Sequence, residues 1–269
     1  MKVGTHRSAV LAIALLAAIV AALVAVLSGG SPTAVPPTAK PMTALTGAGQ
    51  RLYDGLRGGT LTVYDSQDFQ SLDPGQSYSL LDYEVIYATQ MPLFEYPPNN
   101  SSVASPMLAS GPAIVSDHGR TVTVHIKGGV HFSPPVNRAV TSADVAYAIE
   151  RGANPNVANP YFSLYFGDLV GASKANGGPI AGIRTPNRST IVFHLTAPTA
   201  DILIGALTLP LSAPVPKSFA VHLDAMKPTQ YGTSYEVSTG TYMLESNASG
   251  RFLGLGYRPG TSATLVRNP

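Results

Sequence analysis

From about residue 58 onward, short alternating segments and short helical spacings take turns along the chain. Thr60-Leu61-Thr62-Val63-Tyr64 alternates and is rich in β-forming residues, which predicts a strand after the Gly58-Gly59 break. Ser71-Leu72-Asp73-Pro74-Gly75 is a turn signal. Residues 80–90 place Leu81, Val85 and Ala88 at helical spacing, with Ile86 and Tyr87 alongside. Pro92 ends that helix, and 93–96 reads as a short strand.

The clearest alternation comes next. Asp117-His118-Gly119-Arg120 predicts a hairpin turn. Residues 121–127 then put Val122, Val124 and Ile126 on one face and Thr121, Thr123, His125 and Lys127 on the other, a half-buried strand. Thr141-Ser142-Ala143-Asp144 is a helix-start signature. It predicts that the Thr141 hydroxyl accepts the Asp144 amide and that the Asp144 carboxylate sits in the positive first turn. Val145, Ala148 and Ile149 form that helix's buried stripe, and Gly152 suits a left-handed end. A hairpin is expected from 180–184 and 189–196 around Pro186-Asn187, a short helix over 199–207, another helix after Pro214-Val215-Pro216-Lys217, and strands at 251–257 and 264–267.

The first thirty residues follow a different rule. Lys2, His6 and Arg7 precede an unbroken apolar run over 9–27, followed by Ser28-Gly29-Gly30-Ser31. The run is long enough to span a bilayer and longer than the usual signal-peptide core, so residues 1–30 read either as a cleaved signal peptide or as an N-terminal membrane anchor. Both readings export the rest of the chain. Residues 31–56 form a Pro/Thr/Ala/Gly-rich linker, and folded sequence is expected from near Arg57.

Composition narrows the function classes. The formal net charge is +2, but once Lys2 and Arg7 are set aside, 15 basic side chains face 15 acidic ones and there is no basic run. That gives no case for nucleic-acid binding. Cysteine is absent, which excludes disulfides, thiolate metal sites and a cysteine nucleophile. The chain holds no G-x-S-x-G, H-E-x-x-H, S-x-x-K or phosphate-binding P-loop. His125 and His131 have no third ligand at metal spacing and read as surface histidines. No cofactor is expected.

Taken in order, the segments from Gly58 to Pro269 resemble the family 5 extracellular solute-binding proteins of ABC importers, the peptide- and nickel-type binding proteins. The resemblance rests on several phrases. They are the G-G-x-L opening and the L-D-P turn before a helix, the S-D-H-G-R-T-V-T-V-H-I-K stretch leading to T-S-A-D, the V-P-K step at Val215-Pro216-Lys217, and S-T-G-T-Y at 238–242 where the family has G-T-G-P-Y. It implies an α/β fold: a periplasmic-binding-protein-like lobe (type II, cluster C) with a small inserted subdomain. The first lobe maps onto 57–92 and 200–269 and the insert onto 93–199. Leu265-Val266-Arg267-Asn268-Pro269 looks like a family phrase that continues into a further lobe, so the second lobe is expected to be missing and binding by one lobe weak. Gly30 stands where a lipid-bearing cysteine would be, which leaves a lipid anchor unsupported.

The resemblance further implies a binding protein and not an enzyme: a monomer that captures a peptide or similar solute outside the membrane and presents it to an ABC permease. The candidate ligand-binding residues are Tyr64, Ser66, Gln67 and Asp68 in the loop after the first strand, with Tyr78 and Tyr83 beyond. A carboxylate there can hold a peptide amine, hydroxyl and amide groups can fix a backbone, and tyrosines can stack on side chains. Two other readings stand beside this one. One is an exported remnant without ligand function. The other is a cell-wall hydrolase, for which Asp65, Asp68 and Asp73 are the clustered acids.

Overall fold

The computed structural model describes residues 58–97 and 102–269. The apolar run over 9–27, the linker over 31–56 and the expected start near Arg57 lie outside the described residues. The chain divides into two compact units, Met1–Val63 and Tyr64–Pro269. Of the first unit, residues 58–63 are described. They form no regular element, and Leu61 and Val63 are 87% and 72% exposed. The strand expected at 60–64 is therefore not formed. An alternating segment becomes a strand only when a neighbour takes its backbone hydrogen bonds, and no described strand pairs with this one.

Helix α1 (Leu80–Thr89) is the first element of the second unit. Its start is a reciprocal cap: the Asp82 amide donates to the Ser79 hydroxyl at 3.2 Å, and the Ser79 amide donates to the Asp82 carboxylate at 3.4 Å. Two short strands follow, β1 (Phe94–Glu95) and β2 (Ser105–Pro106), paired antiparallel.

The main sheet has four antiparallel strands. β3 (Ile114–Ser116) turns into β4 (Thr121–His125) through Asp117 and His118, both in left-handed backbone. β5 (Ile183–Asn187) and β6 (Thr190–His194) form the second hairpin, and the strand order is β3-β4-β6-β5. Between the hairpins lie α2 (Ser142–Arg151) and the single turn α3 (Phe162–Tyr165). Both hairpins appear near where the pattern placed them, with the second turn two residues later, at Arg188-Ser189. In the β4–β6 register Val122 faces Phe193 and Val124 faces Ile191, and all four are buried. α2 packs across β5 and β6 and adds Val145 and Ile149 to this core. α4 (Ala200–Ala206) adds Leu203 and Ala206, and Leu93, Phe94, Phe166 and Leu169 close it.

α5 (Lys217–Asp224) packs on α2, with Ala220, Leu223, Tyr147 and Tyr231 forming a second, smaller core. β7 (Tyr242–Leu244), β8 (Tyr257–Arg258), β9 (Ser262–Ala263) and β10 (Leu265–Arg267) complete the unit as two antiparallel pairs, β7 with β10 and β8 with β9. The strand expected over 251–257 is broken: Gly254 takes φ 85°, a turn conformation, only Tyr257 enters a strand, and Arg251 and Leu253 make isolated bridges to Tyr235 and Tyr257.

At α2 the expected reciprocal cap between Thr141 and Asp144 is present, with an added hydroxyl contact, and the expectation for Gly152 is corrected. The Thr141 hydroxyl donates to the Asp144 carboxylate at 2.9 Å, as does the Thr141 amide, while the Asp144 amide reaches the Thr141 carbonyl at 3.0 Å. The ionised carboxylate is the stronger acceptor, so the hydroxyl hydrogen turns toward it. Gly152 is right-handed, with φ −60° and ψ −25°. Glycine is needed there for space: an added Cβ would lie 2.9 Å from both Leu211 methyl carbons.

Candidate ligand-binding face

The site is built on a turn that the core holds in place. Arg151, at the end of α2, is 1% exposed. Its guanidinium forks onto Asp73 (Nη1 to Oδ1 2.6 Å, Nη2 to Oδ2 2.9 Å) and onto Asp224 of α5 (Nη2 to Oδ1 2.7 Å, Nε to Oδ2 3.0 Å). It also lies 4.8 Å from the centre of the Tyr231 ring. Burial alone would lower the pKa of this arginine, but the two carboxylates outweigh it and raise it. The same pairing holds Asp224 below its ordinary value despite burial, helped by hydroxyls of Thr229 at 2.7 Å and Tyr147 at 2.8 Å. Asp73 in turn accepts the Gly75 amide at 2.7 Å, and the Gly75 carbonyl accepts from the Asn159 side chain at 2.6 Å. One buried arginine thus fixes the 73–76 turn against α2 and α5, and Asn159 ties the 158–165 segment to the same turn.

Tyrosines gather on that platform. Tyr78 meets Tyr161 edge to face at 6.4 Å, Tyr161 meets Tyr165 at 5.8 Å, and Tyr83 meets Tyr87 at 5.7 Å. Burial, then the neighbouring Tyr87, Tyr161 and Tyr165, push the Tyr83 phenol far up, so it stays a neutral donor and acceptor. The Tyr87 hydroxyl donates to the Thr208 carbonyl at 2.9 Å. Beside Tyr78 lies a hollow of about 240 Å³ lined by Gln70, Ser71, Gln76, Ala158 and Pro160. Aromatic edges next to amide and hydroxyl groups can stack on a ligand side chain and hydrogen-bond a peptide backbone.

Of the residues expected from sequence, the structure brings Tyr78 and Tyr83 into this face. Tyr64 is 91% exposed, and Ser66 and Gln67 lie in an exposed loop where the Gln67 amide donates to Asp65 Oδ1 at 3.0 Å. Asp68 is occupied within the protein: it accepts the Gly260 amide at 2.5 Å and bonds Tyr257, whose phenol burial and Asp68 together push up to about 12. Asp65 and Asp68 are exposed while Asp73 is buried and ion-paired, so the three acids do not form one catalytic cluster. His125 contacts Thr190 Oγ1 at 3.1 Å and His131 the Gly129 carbonyl at 2.9 Å, both exposed.

Tyr87, Tyr161 and Tyr165 were not anticipated, and neither was the Arg151 centre. Tyr83 and Tyr87 are four apart on a helix, a spacing that puts both on one face. Arg151 follows Ala148 by three on the buried stripe of α2, and an arginine there demands buried carboxylates.

The family model for bacterial extracellular solute-binding proteins, family 5 (Middle), matches residues 104–269, more than half of the chain. The chain belongs to the family 5 bacterial extracellular solute-binding proteins. Among solved structures, this family 5 chain is similar to clavulanic acid biosynthesis oligopeptide binding protein 2 at 28% identity and TM-score 0.64. The match covers 79% of this chain and 36% of that one. The pheromone receptor PrgZ matches at 21% identity and TM-score 0.61 over 76% of this chain and 38% of its own. Listeria monocytogenes OppA bound to peptide matches at 20% identity and TM-score 0.57, covering 70% and 36%. The fold is that of the periplasmic binding proteins, and the chain spans about a third of the length of the solved structures it matches. No curated protein matches it.

Proposed function

We propose that this chain supplies one face of a peptide-binding cleft in an ABC importer. It captures peptides or similar small solutes outside the membrane and presents them to a permease without covalent chemistry. Family membership over 104–269 carries the reading, and the names of the matched oligopeptide-binding structures favour peptide as the ligand class. The tyrosine face and its 240 Å³ hollow supply suitable contacts. Residues 1–30 export the chain, as a cleaved signal or an anchor, and 31–56 tether it. Residues 57–92 and 200–269 form the first lobe with 93–199 inserted. A closed cleft encloses its ligand from two sides, so this face supplies part of the contacts.

The experiment is a thermal-shift series with pools of short peptides on the full chain, repeated on Tyr78→Ala/Tyr161→Ala. A melting temperature that climbs with peptide concentration in the wild type, and much less in the variant, is the expected result. A flat response to every pool in the wild type would reject the peptide reading and leave an exported remnant without ligand function.

A further inference from the structure

Asn176 is the only asparagine in the sequence that precedes a glycine, and it lies in the loop between α3 and β5. An asparagine side chain can be attacked by the next residue's amide nitrogen to close a succinimide ring, and glycine puts no side chain in the way. The structure leaves both reacting groups open. The Asn176 side chain is exposed, and neither it nor the Gly177 amide has a hydrogen-bond partner among the described residues. Gly177 takes φ 79°, a left-handed conformation, and an added Cβ would lie 2.7 Å from the Asn154 Cβ. A larger residue that would shield this amide therefore does not fit.

The other described asparagines each lack one of these features. Asn154, Asn159 and Asn268 precede prolines, whose nitrogen has no hydrogen to lose. The Val157 amide, which follows Asn156, donates to the Asn154 carbonyl at 3.0 Å. Asn137, Asn187 and Asn247 precede residues that carry side chains. The side-chain oxygens of Asn187 and Asn247 also accept the amides of Ser189 and Ser249, both at 3.0 Å. The ends of the Asn176 loop are held. The Ala175 amide donates to the Ala172 carbonyl at 2.9 Å, and the buried Ile180 donates its amide to the Glu150 carboxylate of α2 at 3.2 Å.

We propose that Asn176 is a site of spontaneous deamidation in the folded protein, and that its isoaspartyl product loosens the tie between Ile180 and Glu150. The Gly177 nitrogen gives its proton to hydroxide and bonds to Asn176 Cγ, and the side-chain nitrogen leaves as ammonia. Water then opens the succinimide at either carbonyl. One opening leaves aspartate. The other leaves isoaspartate, which routes the main chain through Cβ and so lengthens it by a single carbon between held ends. Both products add a negative charge, and water is the only co-reactant. None of these residues belongs to the tyrosine face, so the assignment stands whether or not peptide binds there.

The test ages the full folded chain at neutral and mildly alkaline pH, then reads each asparagine by peptide mass spectrometry and isoaspartate by enzymatic methylation. Conversion at Asn176 should outpace that at Asn187 and Asn247 by about tenfold or more, because only there is an unshielded amide held next to the side chain. It should speed up with hydroxide and yield both products. Hydrogen exchange at the Ile180 amide should become faster in the aged wild type. Asn176→Ser, aged in parallel, should keep its original exchange at Ile180. Conversion at Asn176 no faster than at Asn187 and Asn247, or conversion only after urea unfolds the chain, overturns the deamidation site. Ile180 exchange that ageing leaves unchanged, or that rises equally in Asn176→Ser, overturns the loosening.

Discussion

Replacing Arg151 by Met tests whether one buried cation holds the platform of the tyrosine face. Methionine keeps most of the unbranched side-chain volume but removes the charge and all four hydrogen bonds to Asp73 and Asp224. The two carboxylates, 1% and 2% exposed, are then left facing each other without a counter-ion. Asp224 keeps the hydroxyls of Thr229 and Tyr147, whereas Asp73 keeps mainly the Gly75 amide. Breaking a buried ion pair from one side costs about 3–5 kcal/mol, and here two pairs break at once, so the loss at neutral pH should reach at least about 4 kcal/mol. With a urea slope of about 2–3 kcal/mol per molar for a unit of this size, the unfolding midpoint should fall by roughly 1.5–2 M. The pH dependence gives a second readout. The Asp224 pKa is depressed below 3.8 in the folded wild type, so its pairing contributes stability fully above that value and loses it as pH falls through the folded value. In Arg151→Met the Asp224 carboxyl loses its main partner and gains a proton more readily, so the gap between variant and wild type should narrow in acid. Urea melts of both proteins at neutral pH and near pH 4 decide the matter. A midpoint shift worth less than about 1 kcal/mol at neutral pH, or a gap that stays constant into acid, would refute the reasoning.

Glu236 offers a test at the other end of the pH scale. Burial pushes its carboxyl up to about 8 although the Gln90 side chain donates to it. The folded state therefore holds this proton while the unfolded chain releases it near 4.5, and stability should decline as pH rises from about 4.5 to 8 and level off above. Glu236→Gln should flatten that decline and exceed the wild type above pH 8 in thermal melts. At the end of α2, Gly152→Ala should cost about 1–3 kcal/mol through the clash with Leu211, and Gly152→Asn should cost more. An asparagine milder than alanine would restore the left-handed role that the sequence suggested.

How far the chain could be read beforehand depended on how local each interaction is. β4 and β6 carry their instructions in their own alternation: moving the register by one residue would turn Val122, Val124, Ile191 and Phe193 to the outside, so the pattern allows one answer. The start of α2 was equally legible because a cap spans only three residues, whereas the matching Ser79–Asp82 cap of α1 was not read from the sequence. The Arg151 centre was not, since Asp73, Arg151 and Asp224 lie 78 and 73 residues apart and no local spacing joins them. The tyrosine face splits along the same line. Tyr78 and Tyr83 were picked from their place after the turn, while Tyr161 and Tyr165 joined them only through the fold. Residues 60–64 show the limit of local pattern from the other side. They have the alternation of a strand, yet Leu61 and Val63 face solvent and no described strand pairs with them. Alternation states what a strand would bury; whether the strand forms is decided by a partner that the segment itself does not encode.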